Sequence, residues 1–439
     1  MKELIQDEIS VLNRLLKNNK LLAKIVKAEN VLDSFVRYQM RLHTTQSFSA
    51  VEKLLRELTV AANRVRHKYN APNTEILPVS KPFFALELTH PNPKPLLWSM
   101  RKATNNDPHK MLLGLSTIDK TTEYVDLDKT PHILIAGITG AGKSILLQMM
   151  LSSLCYATKP KDLELILIDL KNEDLAVFKD LPHVKVFAGN KEKAKQVIKD
   201  LVSEKDRRIE KGFVTDKRIV LVIDELAQLA GDKQIREALG DLASIGRSKR
   251  INLLVATQSV TKDGGLGSLM KSNFTCRLIG KVAPGLSAIA TGLPNMYAHL
   301  LPGNGSFLRI EGSATHRFQS YFIDLADVRL MVSEIENKYT GGVRSGVKGG
   351  AEKSNTGLKG GVTRVDSEKK EQKHNGGVRF PIGLLRELTE EELKEVIRLS
   401  KLPEYQYLGK PSLNKLVMKV FGFKNIDTLT EIKVALEGS

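Results

Sequence analysis

The sequence predicts an α/β protein whose core is a mainly parallel sheet with helices on both faces. Between residues 131 and about 330, short apolar runs alternate with helical patterns: HILIAG, LELILIDL, HVKVFAG, IVLVIDEL, INLLVATQ and CRLIG. These runs do not alternate polar with apolar residues, which is the pattern of strands buried on both faces. The composition, 41% hydrophobic and 27% charged over 439 residues, is that of a globular chain of roughly three structural units.

Along the chain, residues 1–70 read as a helical region. Ile5, Ile9, Leu12 and Leu16 share one helical face, as do Leu54, Leu55, Leu58 and Val65, and Leu22, Ile25, Val26, Leu32 and Phe35 suggest a helix between them. Their polar faces carry Lys17, Lys20, Lys24, Lys27, Arg41, Arg64, Arg66 and Lys68, either a solvated surface or a basic docking face. Residues 71–130 form a strand-containing lead-in, with Pro72, Pro78, Pro82, Pro91, Pro93 and Pro95 breaking helices and FFALELTH reading as a strand. The α/β core follows over 131–338. Residues 339–378 are rich in Gly, Lys and Ser with few large apolar side chains, as in a flexible linker. Helical periodicity returns over 379–439, around a turn at Gly422-Phe423-Lys424-Asn425, and fits a small helix-turn-helix module or a plain helical cap.

Lys and Arg outnumber Asp and Glu by 67 to 50, a formal charge of +17 that favours a polyanionic partner. With only Cys155 and Cys276, a disulfide framework and a cysteine-rich zinc site are excluded, and both read as small buried hydrophobes in a reducing compartment. No apolar run approaches the roughly 18 residues needed to span a bilayer, and MKELIQDEIS is polar too early for a signal peptide. A cytoplasmic location is expected, with no intrinsic membrane segment.

The chemistry is concentrated in Gly137-Ile138-Thr139-Gly140-Ala141-Gly142-Lys143-Ser144, a G-x-x-x-x-G-K-[ST] phosphate loop placed after the strand HILIA and before the helical run that begins at Ile145. Its glycines let backbone N–H groups close around phosphate oxygens, and the following helix start adds partial positive charge. Lys143 is expected on the β- and γ-phosphates of ATP and Ser144 on Mg²⁺. Roughly 80 residues downstream, Ile219-Val220-Leu221-Val222-Ile223-Asp224-Glu225 is a buried strand ending in two carboxylates. Asp224 suits the Mg²⁺ shell and Glu225 a base that polarises the attacking water, a pairing that argues for hydrolysis over a kinase or GTP switch. INLLVAT ends in Gln258, a polar strand tip of the kind that sits beside the γ-phosphate in RecA-like ATPases.

In these stretches the sequence resembles the motor domain of FtsK/SpoIIIE-type DNA translocases, in the HerA–FtsK branch of RecA-like ATPases. The resemblance runs in order over roughly residues 84 to 323, through FALELTHPNPKPLLWSMR, TPHILIAGITGAGKS, LELILIDLKNEDLAVFKDLPHV, KDRRIEK, IVLVIDELAQL, GRSKRINLLVATQ, LMKSNFTCRLIGKV and LLPGNGSFL. It departs from the family at Leu170, where Pro is usual, and at Asp206, near where Glu is usual. The C-terminal 60 residues do not closely resemble the family's winged-helix domain.

The resemblance implies a RecA-like ATPase that forms a homo-hexameric ring and drives double-stranded DNA through its centre by ATP hydrolysis. It implies an arginine acting in trans, with Arg277 preferred to Arg247. Lys171, two residues after Asp169, matches the family's Asp-x-Lys, and Lys249, Lys262 and Lys271 fall on loops where DNA contacts are expected. A compact member from a plasmid, phage or integrative element is indicated. The alternatives are a coupling ATPase that feeds DNA or a relaxase–DNA complex to a membrane channel, a protein-secretion ATPase, and a DNA-binding adaptor that hydrolyses ATP only to switch assembly.

Overall fold

The computed structural model describes residues 1–43, 46–80, 82–98, 107–212, 217–258 and 273–340. The linker beyond Thr340, the module at 379–439, Lys262 and Lys271 lie outside them. The chain divides into Met1–Val343 and Arg344–Ser439, and every element named below belongs to the first unit.

The N-terminal part comprises α1 (Lys2–Asn18), β1 (Ala23–Val31), β2 (Phe35–Leu42), α2 (Gln46–Lys53), α3 (Leu55–Lys68), β3 (Ile76–Val79) and β4 (Ala85–Thr89). Its strands pair antiparallel in the order β1-β2-β4-β3. Leu12 and Leu16 of α1 and Leu58 and Ala62 of α3 bury against Ile25, Val36, Tyr38 and Leu86 of that sheet. At about 1.5–3 kcal/mol per large apolar side chain, this burial holds the two long helices on the sheet.

The helix expected over Leu22 to Phe35 is a hairpin instead. Leu32 and Asp33 both take positive φ, 55° and 52°, and the Ser34 N–H donates to the Val31 carbonyl at 3.0 Å. Two consecutive positive-φ positions in a hairpin connection usually carry Asn or Gly, so the sequence signal of this one is missing. The break expected between residues 70 and 71 falls inside the four-stranded sheet, which draws strands from both sides of it.

The larger sheet contains β5 (Lys110–Ser116), β6 (Thr122–Asp126), β7 (His132–Ala136), β8 (Leu163–Ile168), β9 (Val184–Ala188), β10 (Arg218–Ile223), β11 (Ile251–Thr257), β12 (Cys276–Ile279), β13 (Ser306–Glu311) and β14 (Ala314–Ser320). Their order is β6-β5-β14-β13-β12-β7-β11-β10-β8-β9. Strands β12, β7, β11, β10, β8 and β9 are parallel neighbours, and β13, β14, β5 and β6 extend the sheet antiparallel. Each of the six apolar runs is a strand of the parallel part.

Two apolar layers cover the sheet. Ile133, Ile135, Leu165, Leu167, Val220 and Val222 face one way, toward α4 (Lys143–Ala157). Leu134, Ile166, Ile168, Leu221 and Ile223 face the other, toward α5 (Lys191–Glu210) and α6 (Lys233–Ile245). Alternate residues of one strand thus enter opposite cores, which explains why these strands show no polar face. A short α7 (Ser287–Thr291) and a final α8 (Leu325–Thr340), which packs against α4, complete the unit.

A buried charge cluster joins the two sheets. Glu87 of β4 accepts from Arg37 of β2 at 2.7 Å and pairs with Arg317 of β14, while Arg37 also donates to the Thr117 carbonyl at 2.9 Å. Burial, reinforced by Arg37, holds the Arg317 guanidinium down to about 9. Cys155 and Cys276 are free and buried. Among the described residues, no helix is long and apolar enough to cross a membrane.

Candidate functional site

Parallel strands carry their loops to one edge, and the tips of β7, β10 and β11 meet there. The phosphate loop leaves β7 after Ala136. Gly140 and Gly142 take φ of 80° and 98°, which L side chains rarely adopt. A Cβ on Gly142 would lie 2.8 Å from the Gly305 nitrogen, because the loop at Gly303–Gly305 packs on it. Asn304 and Gly305 donate their backbone N–H groups to the carbonyls of Gly140 and Ala141 at 3.1 and 2.9 Å. LLPGNGSFL therefore shapes the phosphate loop directly.

Helix α4 starts at Lys143 with no side-chain cap, and its first intrahelical bond runs from Leu146 to Gly142. The donors ahead of Leu146 face the loop's mouth, as at other anion-binding helix starts. Lys143 is 8% exposed, and its ammonium reaches the Ile138 carbonyl at 3.3 Å. Burial lowers its pKa against the opposing pull of Glu225, Asp224 and Asp174.

Asp224 follows β10, its backbone N–H held by the Ile168 carbonyl. Its carboxyl is pushed up to about 7, first by burial and then by repulsion from Asp174, Asp169 and Glu225, with Lys171 countering. This crowding of carboxylates, only partly offset by Lys171 and Lys143, suits a divalent cation. Among the described residues, no group of three or more His, Cys, Asp or Glu side chains is arranged to hold a metal alone. A hard cation at Ser144 and Asp224 would take its other oxygens from phosphate and water, as Mg²⁺ does readily.

Glu225 accepts from the Thr257 hydroxyl at 3.0 Å and from the Gln258 N–H at 3.2 and 3.1 Å. The Thr139 hydroxyl donates to the Gln258 side-chain oxygen at 3.1 Å. Three strand tips are thereby wired together.

Asp174, which sequence reasoning did not single out, accepts from the Ser144 hydroxyl. Asp169 is buried, and its carboxylate takes four backbone N–H groups, from Lys171, Asn172, Glu173 and Leu175, at 2.9–3.1 Å. It shapes the loop that presents Asp174. The visible signal was an acidic residue in the loop of a strand already marked by its Asp-x-Lys.

The backbone places neither arginine at this edge of its own subunit, where a role in trans does not require it. Arg277 pairs with Leu134 in mid-sheet and donates to the Thr291 carbonyl at 3.1 Å. The turn Gly246–Lys249, which includes Arg247, precedes β11 at the opposite edge, where Lys249 donates to the Gly212 carbonyl.

A cavity of about 510 Å³ opens beside the loop, lined by Thr139, Gly140 and Gly142–Ile145, by Pro302–Gly305, by Gln319–Phe322 and by Pro93–Leu96. Phe322 and Leu96–Trp98 are zipped together through Phe322 N–H to Leu96 and Trp98 N–H to Phe322. The Pro93–Leu96 stretch of FALELTHPNPKPLLWSMR, placed in the lead-in by its sequence, is thus a wall of the site.

Residues 94–218 match the family model described as FtsK/SpoIIIE family. Two of the similar curated proteins are named DNA translocase FtsK. That of Sporosarcina ureae is 27% identical over 308 residues, 63% of this chain and 39% of the relative. That of Lactococcus lactis subsp. cremoris is 26% identical over 372 residues, 77% of this chain and 48% of the relative. The chain thus spans less than half the length of either. Among solved structures, the pCW3 conjugation coupling protein TcpA, a monomer form with ATPγS, superposes with a TM-score of 0.51 at 20% identity. The match covers 75% of this chain and 99% of that one, a likeness of fold. The predicted mainly parallel α/β core, with its phosphate loop at the strand tips, is the fold this chain has.

Proposed function

Since the chain carries an FtsK/SpoIIIE-family domain over residues 94–218, we propose that it is an ATP-driven motor acting on double-stranded DNA, working as a homo-hexameric ring on the cytoplasmic side. The observation that carries this reading is the joining of the phosphate loop, the Asp224–Glu225 pair and Gln258 at one sheet edge. Gly137–Gly142 and the N–H groups of Lys143, Ser144 and Ile145 cradle the ATP phosphates, and Lys143 neutralises them. Ser144 and Asp224 hold Mg²⁺, which supplies positive charge against the phosphates when bound. Glu225 orients the attacking water and accepts its proton. Gln258, bonded to both Thr139 and Glu225, links the phosphate loop's occupancy to the base. The +17 charge suits sequence-independent contacts with a phosphate backbone.

The test is the ATPase rate with duplex DNA, with single-stranded DNA and without DNA. Stimulation by duplex above the other two is expected; indifference to all DNA would overturn the DNA-motor reading. A second reading, a coupling ATPase that feeds DNA to a channel, suits the fold shared with TcpA. It differs in requiring a channel partner before DNA moves.

A further inference from the structure

We infer that Asp174 is a positioning residue for the cation of the nucleotide site, accepting the Ser144 hydroxyl hydrogen bond and so leaving that oxygen's lone pairs free for a cation. The inference rests on the reading of Ser144 and Asp224 given above and concerns the group that aims Ser144.

A serine hydroxyl has one proton and two lone pairs. To serve a cation, it must send the proton elsewhere, so the acceptor of that proton decides which way the oxygen faces. Here the acceptor is Asp174, bonded through Oδ2 to Ser144 Oγ. Asp174 is itself held from two sides. One helical turn after Ser144, the side-chain amide of Gln148, 7% exposed, donates to the Asp174 backbone carbonyl at 2.8 Å. On the other side, the Asp169 carboxylate gathers the N–H groups of Lys171, Asn172, Glu173 and Leu175, which fixes the loop around Asp174. The resulting chain, Asp169 to loop to Asp174 to Ser144, joins the tip of β8 to the start of α4. It is an outer support of the kind that orients metal-binding groups and typically changes metal affinity by about 10–100-fold when removed.

The test uses the full chain and a fluorescent, hydrolysis-resistant ATP analogue, titrated with Mg²⁺ and again with EDTA. The wild type is expected to bind more tightly with Mg²⁺. Asp174→Ala should lose about tenfold or more of that gain, with its affinity in EDTA moving less than about threefold. Asp174→Asn, which keeps a carbonyl acceptor, should recover most of the gain. The double variant Ser144→Ala/Asp174→Ala should be no worse than Ser144→Ala, since both changes remove one interaction.

A full Mg²⁺ gain in Asp174→Ala beside a responsive wild type overturns the inference. So do additive losses in the double variant, which would make Asp174 act independently of Ser144, and an equal collapse of binding in EDTA, which would make it a fold-holding residue only. A wild type that ignores Mg²⁺ overturns the cation-site reading itself and takes the inference with it.

Discussion

The Thr139 hydroxyl donates to the side-chain oxygen of Gln258 at 3.1 Å, so the tip of β11 touches the phosphate loop through a side chain while its backbone touches Glu225. On the proposed reading, a phosphate entering the loop would compete for the Thr139 hydroxyl, and Glu225 would feel the change through Gln258. Gln258→Ala should therefore bind ATP within about threefold of wild type and lose stimulation by duplex DNA by on the order of tenfold, the usual size of a coupling between sites. ATPase rates with and without DNA, beside nucleotide titration, check it; retained stimulation would remove Gln258 from the linkage.

Lys143→Ala and Glu225→Gln should separate binding from turnover. The first removes the buried cation of the loop, so nucleotide binding and hydrolysis both fail. The second keeps the shape of the hydrogen-bonded side chain and loses its basicity. It should bind ATP and hydrolyse it about 10²–10⁴-fold more slowly. Single-turnover hydrolysis and equilibrium binding distinguish the two patterns.

Two glycines of the phosphate loop should respond differently to alanine. Both have positive φ, a cost of about 1–2 kcal/mol for an L residue. A Cβ on Gly140 meets nothing within 4 Å, whereas one on Gly142 meets the Gly305 nitrogen at 2.8 Å. Gly140→Ala should lower stability by the strain alone. Gly142→Ala should lower it further and weaken nucleotide binding by displacing the Gly303–Gly305 loop. Thermal melting of the two variants side by side is the measurement.

Asp224 gives a pH signature. Its folded-state pKa, about 7, lies above the ordinary carboxylate value of 3.8, so the folded protein holds a proton that the unfolded chain releases. Its contribution to stability falls as pH rises from about 4 to about 7 and then levels off. Asp224→Asn, which cannot ionise, should melt at higher temperature than wild type at pH 8 in nucleotide-free buffer, with the gap closing toward pH 4. Equal melting temperatures at pH 8 would contradict the crowding of carboxylates described around it.

The buried cluster between the sheets makes the last structural prediction. Glu87→Ala leaves Arg37 and Arg317 buried without their shared carboxylate. Breaking such a pair costs about 3–5 kcal/mol, so the unfolding free energy from denaturant titration should fall by that amount, with a lower midpoint; a loss under about 1 kcal/mol would refute it.

The parallel strands and the phosphate loop at their edge were legible because the requirement is local. A doubly buried strand must be apolar throughout, and a phosphate loop must have its glycines beside a strand end and a helix start. What escaped the sequence depends on distant partners. Asp174 sits among polar residues in Lys171-Asn172-Glu173-Asp174, and its placement follows from backbone groups folding onto Asp169. The β1–β2 hairpin was hidden because Leu32 and Asp33 adopt positive φ without glycine, and the apolar spacing around them also fits a helix. The Pro93–Leu96 segment becomes part of the site through distant partners, Leu96 accepting from the Phe322 N–H and Lys94 donating its N–H to the Asp33 carbonyl at 3.0 Å.

The most direct measurement is displacement of a third strand from a triplex-bearing duplex by the wild-type protein and by Glu225→Gln. ATP-dependent release by the wild type, with none by Glu225→Gln although it binds the same DNA, is the expected result. Vigorous DNA-stimulated hydrolysis by the wild type with the third strand left in place would contradict translocation as its function.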